Sequence, residues 1–327
     1  MSTRKKTLGV WDRAAREADL IISLPREVPM FFRRIEAGRF RMGARGYYSN
    51  EEPVHEVRLT EDFYLGTFVV TQEQYRTVAR WCPALRSRSE PSIFKGKRRP
   101  VENVSWEEVA AWCDWLSHSK TLPKGWVARL PTEAEWEYAC RKQTETEYYS
   151  GDGEAALGWV GWYDANSGNQ THPVDEKDET HPFGLFGMHG NVWEWCLDAY
   201  ESDAYRRHDD ADENPGVNPS EEDRARVVRG GSWYGVARTC RSAYRIRRRP
   251  DGRDRYVGFR VCLVGSPMRL TDYLDQPAKA APGPGDGGRG TRPESDGPGT
   301  TGAGPAAMTP RPAKAKTGSK VKVKRVR

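Results

Sequence analysis

Three stretches of the chain begin the same way. Thr71 stands three residues before Gln74, Ser105 before Glu108 and Thr132 before Glu135, and apolar residues follow each at helical spacing. Tyr75, Val78, Ala79 and Cys82 mark the first stripe, Val109, Trp112, Cys113 and Leu116 the second, and Trp136, Ala139 and Cys140 the third. A hydroxyl that accepts from an orphan N–H while an acid or amide three residues on reaches back is a capping box, so each spacing predicts a helix with one buried face. Before these helices the pattern has period two. Phe31–Met42 alternates in the sense of a hairpin turning near Ala37-Gly38, Val54–Leu59 alternates again, and Phe63–Val70 is a β-rich apolar run. Asp12–Leu24 reads as a short helix, with Asp12 as cap and Pro25 as stop.

From Gly151 to about Asp223 the periodicity fades into Gly, Asn, Asp, Trp and Pro. Trp159, Trp162, Trp193 and Trp195 argue for ordered loops packed on aromatics. Val227–Val228 and Phe259–Val264 read as closing strands. The sum is an α+β domain, rich in loops and low in regular secondary structure.

Composition sets the boundaries. Hydrophobic residues make up 37% of the 327, and the deficit is concentrated beyond Asp275, where Pro, Gly, Ala, Ser and Thr dominate. Such a stretch buries too little surface to offset its ordering entropy. The expected organisation is an N-terminal extension over 1–28, a folded domain over 29–266 and a disordered tail over 267–327. The net charge of +6 is unevenly spread: Pro310–Arg327 carries eight basic residues and no acid. That tail is either a solvated extension or a loose electrostatic anchor for nucleic acid or an acidic partner. The first twenty residues are charged and lack an apolar signal core, and no run reaches the ~18 apolar residues of a membrane span, so the expected location is the cytoplasm. The six cysteines form no CxxC or zinc-site spacing, and they are expected as buried thiols.

Seven segments together resemble one family. They are Phe40-Arg41-Met42-Gly43, Asp62–Leu65 running into Val70-Thr71, Pro100–Trp106, Arg129–Ala139, Gly190–Trp195, Arg229–Trp233 and Gly258-Phe259-Arg260. In this order they resemble the formylglycine-generating enzymes (sulfatase-modifying factors), a family with a C-type-lectin-like fold. The resemblance implies an oxygen-dependent oxidation of a substrate cysteine at a copper ion held by two thiolates, chemistry that suits soft sulfur ligands. Counting from Ser232 as the family spaces its residues, the first copper cysteine falls on Gly235, the histidine after it on Val236, and the second cysteine on Cys240. If the chain is an enzyme, Cys240 and Ser232 are the residues left to carry it, and copper is not expected to bind. The family's iron-dependent sulfoxide synthases need a histidine set, and none of the six histidines pairs as HxxxH or HxH.

The resemblance also implies a calcium loop, with Gly187, Gly190, Val192 and Glu194 at the ligand positions. The alternative is a structural loop in which Glu194 hydrogen-bonds backbone amides.

Between Trp233 and Arg260 nine arginines stand against two aspartates, and Lys, Glu, Gln and Met are absent. Arginine and tyrosine supply planar donors and rigid aromatic faces, the chemistry of recognition surfaces. The tract is similar to the variable region of diversity-generating-retroelement target proteins. That resemblance implies surface positions at Tyr234, Gly235, Val236, Arg238, Tyr244, Ile246, Arg248, Gly252, Asp254 and Tyr256, on a framework of Arg229–Trp233, Arg241, Ser242, Arg245 and Gly258–Arg260. The alternative is a domain that never diversified, its arginines paired with the acidic stretch Asp209–Asp223. The expected function is binding of an acidic ligand or protein at this surface, with a metal-dependent modifying oxidoreductase as the competing reading.

Overall fold

The computed structural model describes residues 9–177, 181–207, 212–216 and 224–265. The expected tail and most of the 209–223 acidic stretch lie outside the described residues.

All three capping boxes form. α1 spans Val10–Glu17, α2 Gln72–Ala79, α3 Trp106–His118 and α4 Glu133–Arg141, and the boxes start α2, α3 and α4. Further helices are α5 (Gly153–Val160) and α6 (Ala204–Arg207). The strands run β1 (Leu20–Leu24), β2 (Val28–Ile35), β3 (Gly38–Met42), β4 (His55–Leu59), β5 (Phe63–Gly66), β6 (Trp126–Arg129), β7 (Trp193–Ala199), β8 (Asp212–Glu213), β9 (Arg226–Arg229), β10 (Arg245–Arg248), β11 (Val257–Gly258) and β12 (Cys262–Gly265).

They build three sheets, ordered β1-β2-β5-β12-β6, β10-β9-β7-β11 and β3-β4-β8. The alternation at Phe31–Met42 is real, but the hairpin is not. β2 pairs with β1 and β5, whereas β3 pairs with β4. Ala37 N–H donates to Asp62 at the bend, and the chain passes from one sheet to another there. Period-two patterning fixes which face is buried and leaves the partner open. The expected Asp12–Leu24 helix is also corrected. It ends at Glu17, and Leu20–Leu24 pairs with β2, in keeping with its adjacent β-branched Ile21 and Ile22. Residues given to an extension therefore belong to the domain: Trp11 stacks on Phe68 at 5.3 Å and meets Phe31 edge-on.

α4 organises the centre. All nine of its residues are buried, including Glu133, Glu135 and Glu137. A buried carboxylate needs a charge-matched partner. Arg245 grips Glu133 through two bonds of 2.6 and 2.7 Å, Arg129 grips Glu135, and Arg141 and Arg229 both bind Glu137. Burial opposes ionisation of Glu137, yet the two guanidiniums outweigh it and hold the carboxyl below its ordinary range. The Arg229 and Arg245 pairs tie α4 to β9, just before the tract after Trp233, and to β10 within it.

Candidate binding surface and the residual metal positions

The tract from Arg229 to Arg260 separates into two sets. Arg229, Ser232, Trp233, Arg241, Ser242, Arg245 and Arg260 are buried, as are the glycines among the framework positions. None of the ten surface positions is buried, and Tyr234 and Val236 are each 42% exposed. The physical cause is pairing. Arg241 forks onto Glu51, Arg245 onto Glu133, and Arg260 onto Glu194, so the framework arginines spend their donors inside.

The outer set forms an aromatic strip. Tyr234 stacks on Tyr256 at 6.3 Å and meets Trp233 at 5.3 Å. Arg248 lies over the Tyr256 ring and pairs with Asp254 at 3.1 Å, while Arg255 lies over Trp233. Tyr244 continues the strip against Trp193. Two contributors escaped sequence reasoning: Phe94 packs edge-on against Trp233 at 5.3 Å, and Tyr48 against Tyr244 at 5.2 Å. Each sits on a loop remote in sequence, and nothing local in the chain marks either. A buried Glu102 sets the Phe94 loop, its carboxyl Oε1 accepting from Ile93 and Phe94 N–H. Arg238, Arg247 and Arg255 make no ion pair among the described residues, whereas Arg253 is clamped by Glu108 at 3.1 Å.

Around Ser232 the site is compact and closed. Cys240 is fully buried, and burial pushes its thiol up to about 12 despite the Ser232 amide directed at the sulfur. Gly235 N–H donates to Ser232 carbonyl, and a Cβ at Gly235 would lie 2.6 Å from Thr239 Oγ1. One thiol and a glycine supply a single sulfur and do not match a copper dithiolate site. His189 donates through Nδ1 to Cys240 carbonyl at 2.8 Å, and its Nε2 accepts from Tyr149 N–H. Burial lowers its pKa to about 3, so this histidine is a neutral structural strut.

The calcium positions do not match their ion either. Both oxygens of Glu194 are taken, one by Arg260 Nη2 at 2.9 Å and the other by Trp136 Nε1 at 2.8 Å and Arg260 Nε at 3.1 Å. The one carboxylate of the set is already neutralised, and a calcium ion there would stand beside a guanidinium. The expected alternative partner, backbone amide, is likewise replaced by these side chains. Gly190 is needed for shape: its φ is +73°, and a Cβ would lie 2.2 Å from Trp162 carbonyl. Gly187 shares the positive φ, and Val192 is buried against Gly258. Among the described residues no group of three or more His, Cys, Asp or Glu side chains could hold a metal.

The sequence pattern of the sulfatase-modifying factor enzyme 1-like domain matches residues 23–264. The chain belongs to that family. Among relatives of this sulfatase-modifying-factor domain, the formylglycine-generating enzyme of Mus musculus is 33% identical over 189 residues, covering 52% of this chain and 46% of the enzyme. The serine/threonine-protein kinase pkn1 of Chlamydia caviae is 30% identical over 250 residues, covering 71% of this chain and 37% of the kinase. The chain thus spans less than half the length of either. Among solved structures, Treponema denticola variable protein 1 superposes with a TM-score of 0.61 at 28% identity, covering 74% of this chain and 97% of that one. The fold is the formylglycine-generating-enzyme, C-type-lectin-like one. No described helix of this family member is long and apolar enough to cross a membrane.

Proposed function

We propose that this sulfatase-modifying-factor domain is a binding protein, and that its ligand is an acidic group or acidic protein surface seated on the Tyr234–Tyr256 strip. The observation that carries this reading is the division of the tract. Buried arginines are locked to α4 and its neighbours, and the residues between them are free to face a partner. Arg238, Arg247 and Arg255 supply positive charge not matched by a described carboxylate, and the tyrosines supply rigid planar contact at low entropic cost. An enzyme of the copper type is disfavoured by Gly235, which leaves Cys240 as the one sulfur of the expected pair.

A labelled poly-glutamate peptide, followed by anisotropy across a salt series, tests the binding reading. Saturable binding lost on Tyr234→Ala and on Arg238→Glu is expected; no binding, or binding indifferent to both substitutions, overturns it. Incubation with copper, oxygen and a Cys-X-Pro-X-Arg peptide tests the enzyme reading, and stoichiometric conversion to aldehyde would revive it.

The resemblance to variable proteins supports a finer reading, in which the ten surface positions are sites of templated diversification. A reverse transcriptase and a mismatched template repeat beside the gene are its signature. A genome without that cassette ends it.

A further inference from the structure

Glu102 is completely buried behind the loop that carries Phe94, and the binding contacts proposed above do not use its charge. Its two carboxyl oxygens differ. Oε1 accepts from Ile93 N–H at 2.5 Å and Phe94 N–H at 3.0 Å, and so holds the loop that lays Phe94 against Trp233. Oε2 is buried and has no hydrogen-bond partner among the described residues. The nearby Ser92 hydroxyl is engaged with the Glu102 backbone, accepting from its N–H at 3.1 Å.

Titration of this carboxyl therefore leaves the latch in place. A proton at Oε2 sits on the oxygen that holds nothing, and Oε1 accepts from both amides in either state. What changes is charge. A buried carboxylate with an unmatched oxygen is unfavourable, and burial lifts Glu102 to about 7 against the pull of the two amides, Lys95 and Arg255.

Those two cations face the carboxyl from different segments. Lys95 belongs to the Phe94 loop. Arg255 is exposed and belongs to the strip: its guanidinium lies over Trp233 at 5.3 Å, and its carbonyl accepts from Trp233 Nε1 at 3.2 Å. Asn103 N–H donates to Asp254 carbonyl at 3.0 Å, which fastens the chain beside Glu102 to the same segment. An ionised Glu102 offsets part of the positive potential that Arg255 presents to a ligand, and a neutral Glu102 leaves it whole. Coulomb coupling through a poorly screened interior needs no direct contact.

This step rests on the binding reading of the strip. We propose that Glu102 is a proton switch behind the strip, taking up a proton when an acidic ligand binds beside Arg255, so that acidification tightens binding. The neutral form is the better receptor; the ligand therefore raises the proton affinity of Glu102, and the dissociation constant falls from pH 8 to pH 6.

Anisotropy titrations of labelled poly-glutamate with the full chain at pH 6, 7 and 8 and fixed ionic strength test the switch. The native chain should bind about fivefold tighter at pH 6 than at pH 8, within the tenfold per pH unit that one linked proton allows. Glu102→Gln keeps an acceptor at Oε1 without the charge, and should show the native pH 6 affinity at all three pH values. In the free native chain the Ile93 and Phe94 amide shifts, followed by NMR, should titrate together with a midpoint near 7. Equal affinity at pH 6 and pH 8, a pH dependence that persists in Glu102→Gln, or amide shifts that stay flat between pH 5.5 and 8.5 overturns the proposal. Absence of binding at every pH removes the binding reading and this inference with it, whereas binding without pH dependence removes this inference alone.

Discussion

Arg241 and Glu51, 190 residues apart in the chain, meet as a fully buried fork, Nη1 to Oε2 at 2.9 Å and Nη2 to Oε1 at 2.7 Å. The pair fastens the loop carrying Tyr47 and Tyr48 to the tract that carries the candidate binding surface. Tyr47 lies directly over the Arg241 guanidinium, 3.6 Å from ring centre to carbon.

Removing one member of that fork leaves the other charge buried and unmatched. Glu51→Gln or Arg241→Met should each cost about 3–5 kcal/mol of unfolding free energy, and the double substitution should cost clearly less than their sum. Urea unfolding of the four proteins in a cycle measures both quantities. Additive losses would mean that the two residues act independently.

The surface positions should behave in the opposite way. Arg238→Ala and Val236→Ser are expected to change stability within about 0.5 kcal/mol, because neither side chain is buried or ion-paired among the described residues. Arg245→Ala, two bonds into Glu133, should cost several kcal/mol by the same assay. Comparable losses at both kinds of position would erase the distinction between frame and surface.

Stability should fall as pH drops below about 6.5. Burial lowers His181 to about 4 and His189 to about 3, so in this window both stay neutral in the folded chain while their unfolded counterparts take up protons. Glu102 works against them: burial raises it to about 7, and the folded chain keeps a proton that the unfolded chain releases near 4.5. Between pH 5 and 6 the balance is two protons favouring unfolding on acidification against one opposing. The slope should be about 1.4 kcal/mol per pH unit. Glu102→Gln removes the opposing proton and should steepen the slope to about twice that value. Denaturant titrations at half-unit pH steps decide the matter, and a flat profile would contradict the burial of the histidines.

Restoring the missing sulfur tests the closed site around Ser232. Gly235→Cys alone brings a Cβ against Thr239 Oγ1, and moving that hydroxyl breaks its 2.7 Å bond to Val236 carbonyl, a loss of about 1 kcal/mol. Combined with Thr239→Ala the clash is relieved. The double variant should take up one Cu(I) per chain in competition with a chromophoric chelator, and the parent chain none. Tight stoichiometric uptake by the parent would remove the argument from Gly235.

Where the sequence was legible, the interaction was local. Thr71 with Gln74, Ser105 with Glu108 and Thr132 with Glu135 form as their spacing requires, since a capping box closes within one helical turn. The division of the tract after Trp233 into frame and surface positions came from the resemblance to a variable region and from no spacing rule.

Partners distant along the chain were not legible. Alternation over Phe31–Met42 marked two strands correctly but could not reveal that they join different sheets. Glu194 looked like an oxygen ligand until Arg260 and Trp136 met it, and Phe94 and Tyr48 became part of the aromatic strip only through folding. By itself the sequence determined the starts of α2, α3 and α4, the family and the absent copper sulfur, because these depend on residue identity and short spacing. The tertiary structure decided which charges cancel and which remain for a ligand, because Coulomb pairing and desolvation act through space and bring together residues as far apart as Glu51 and Arg241.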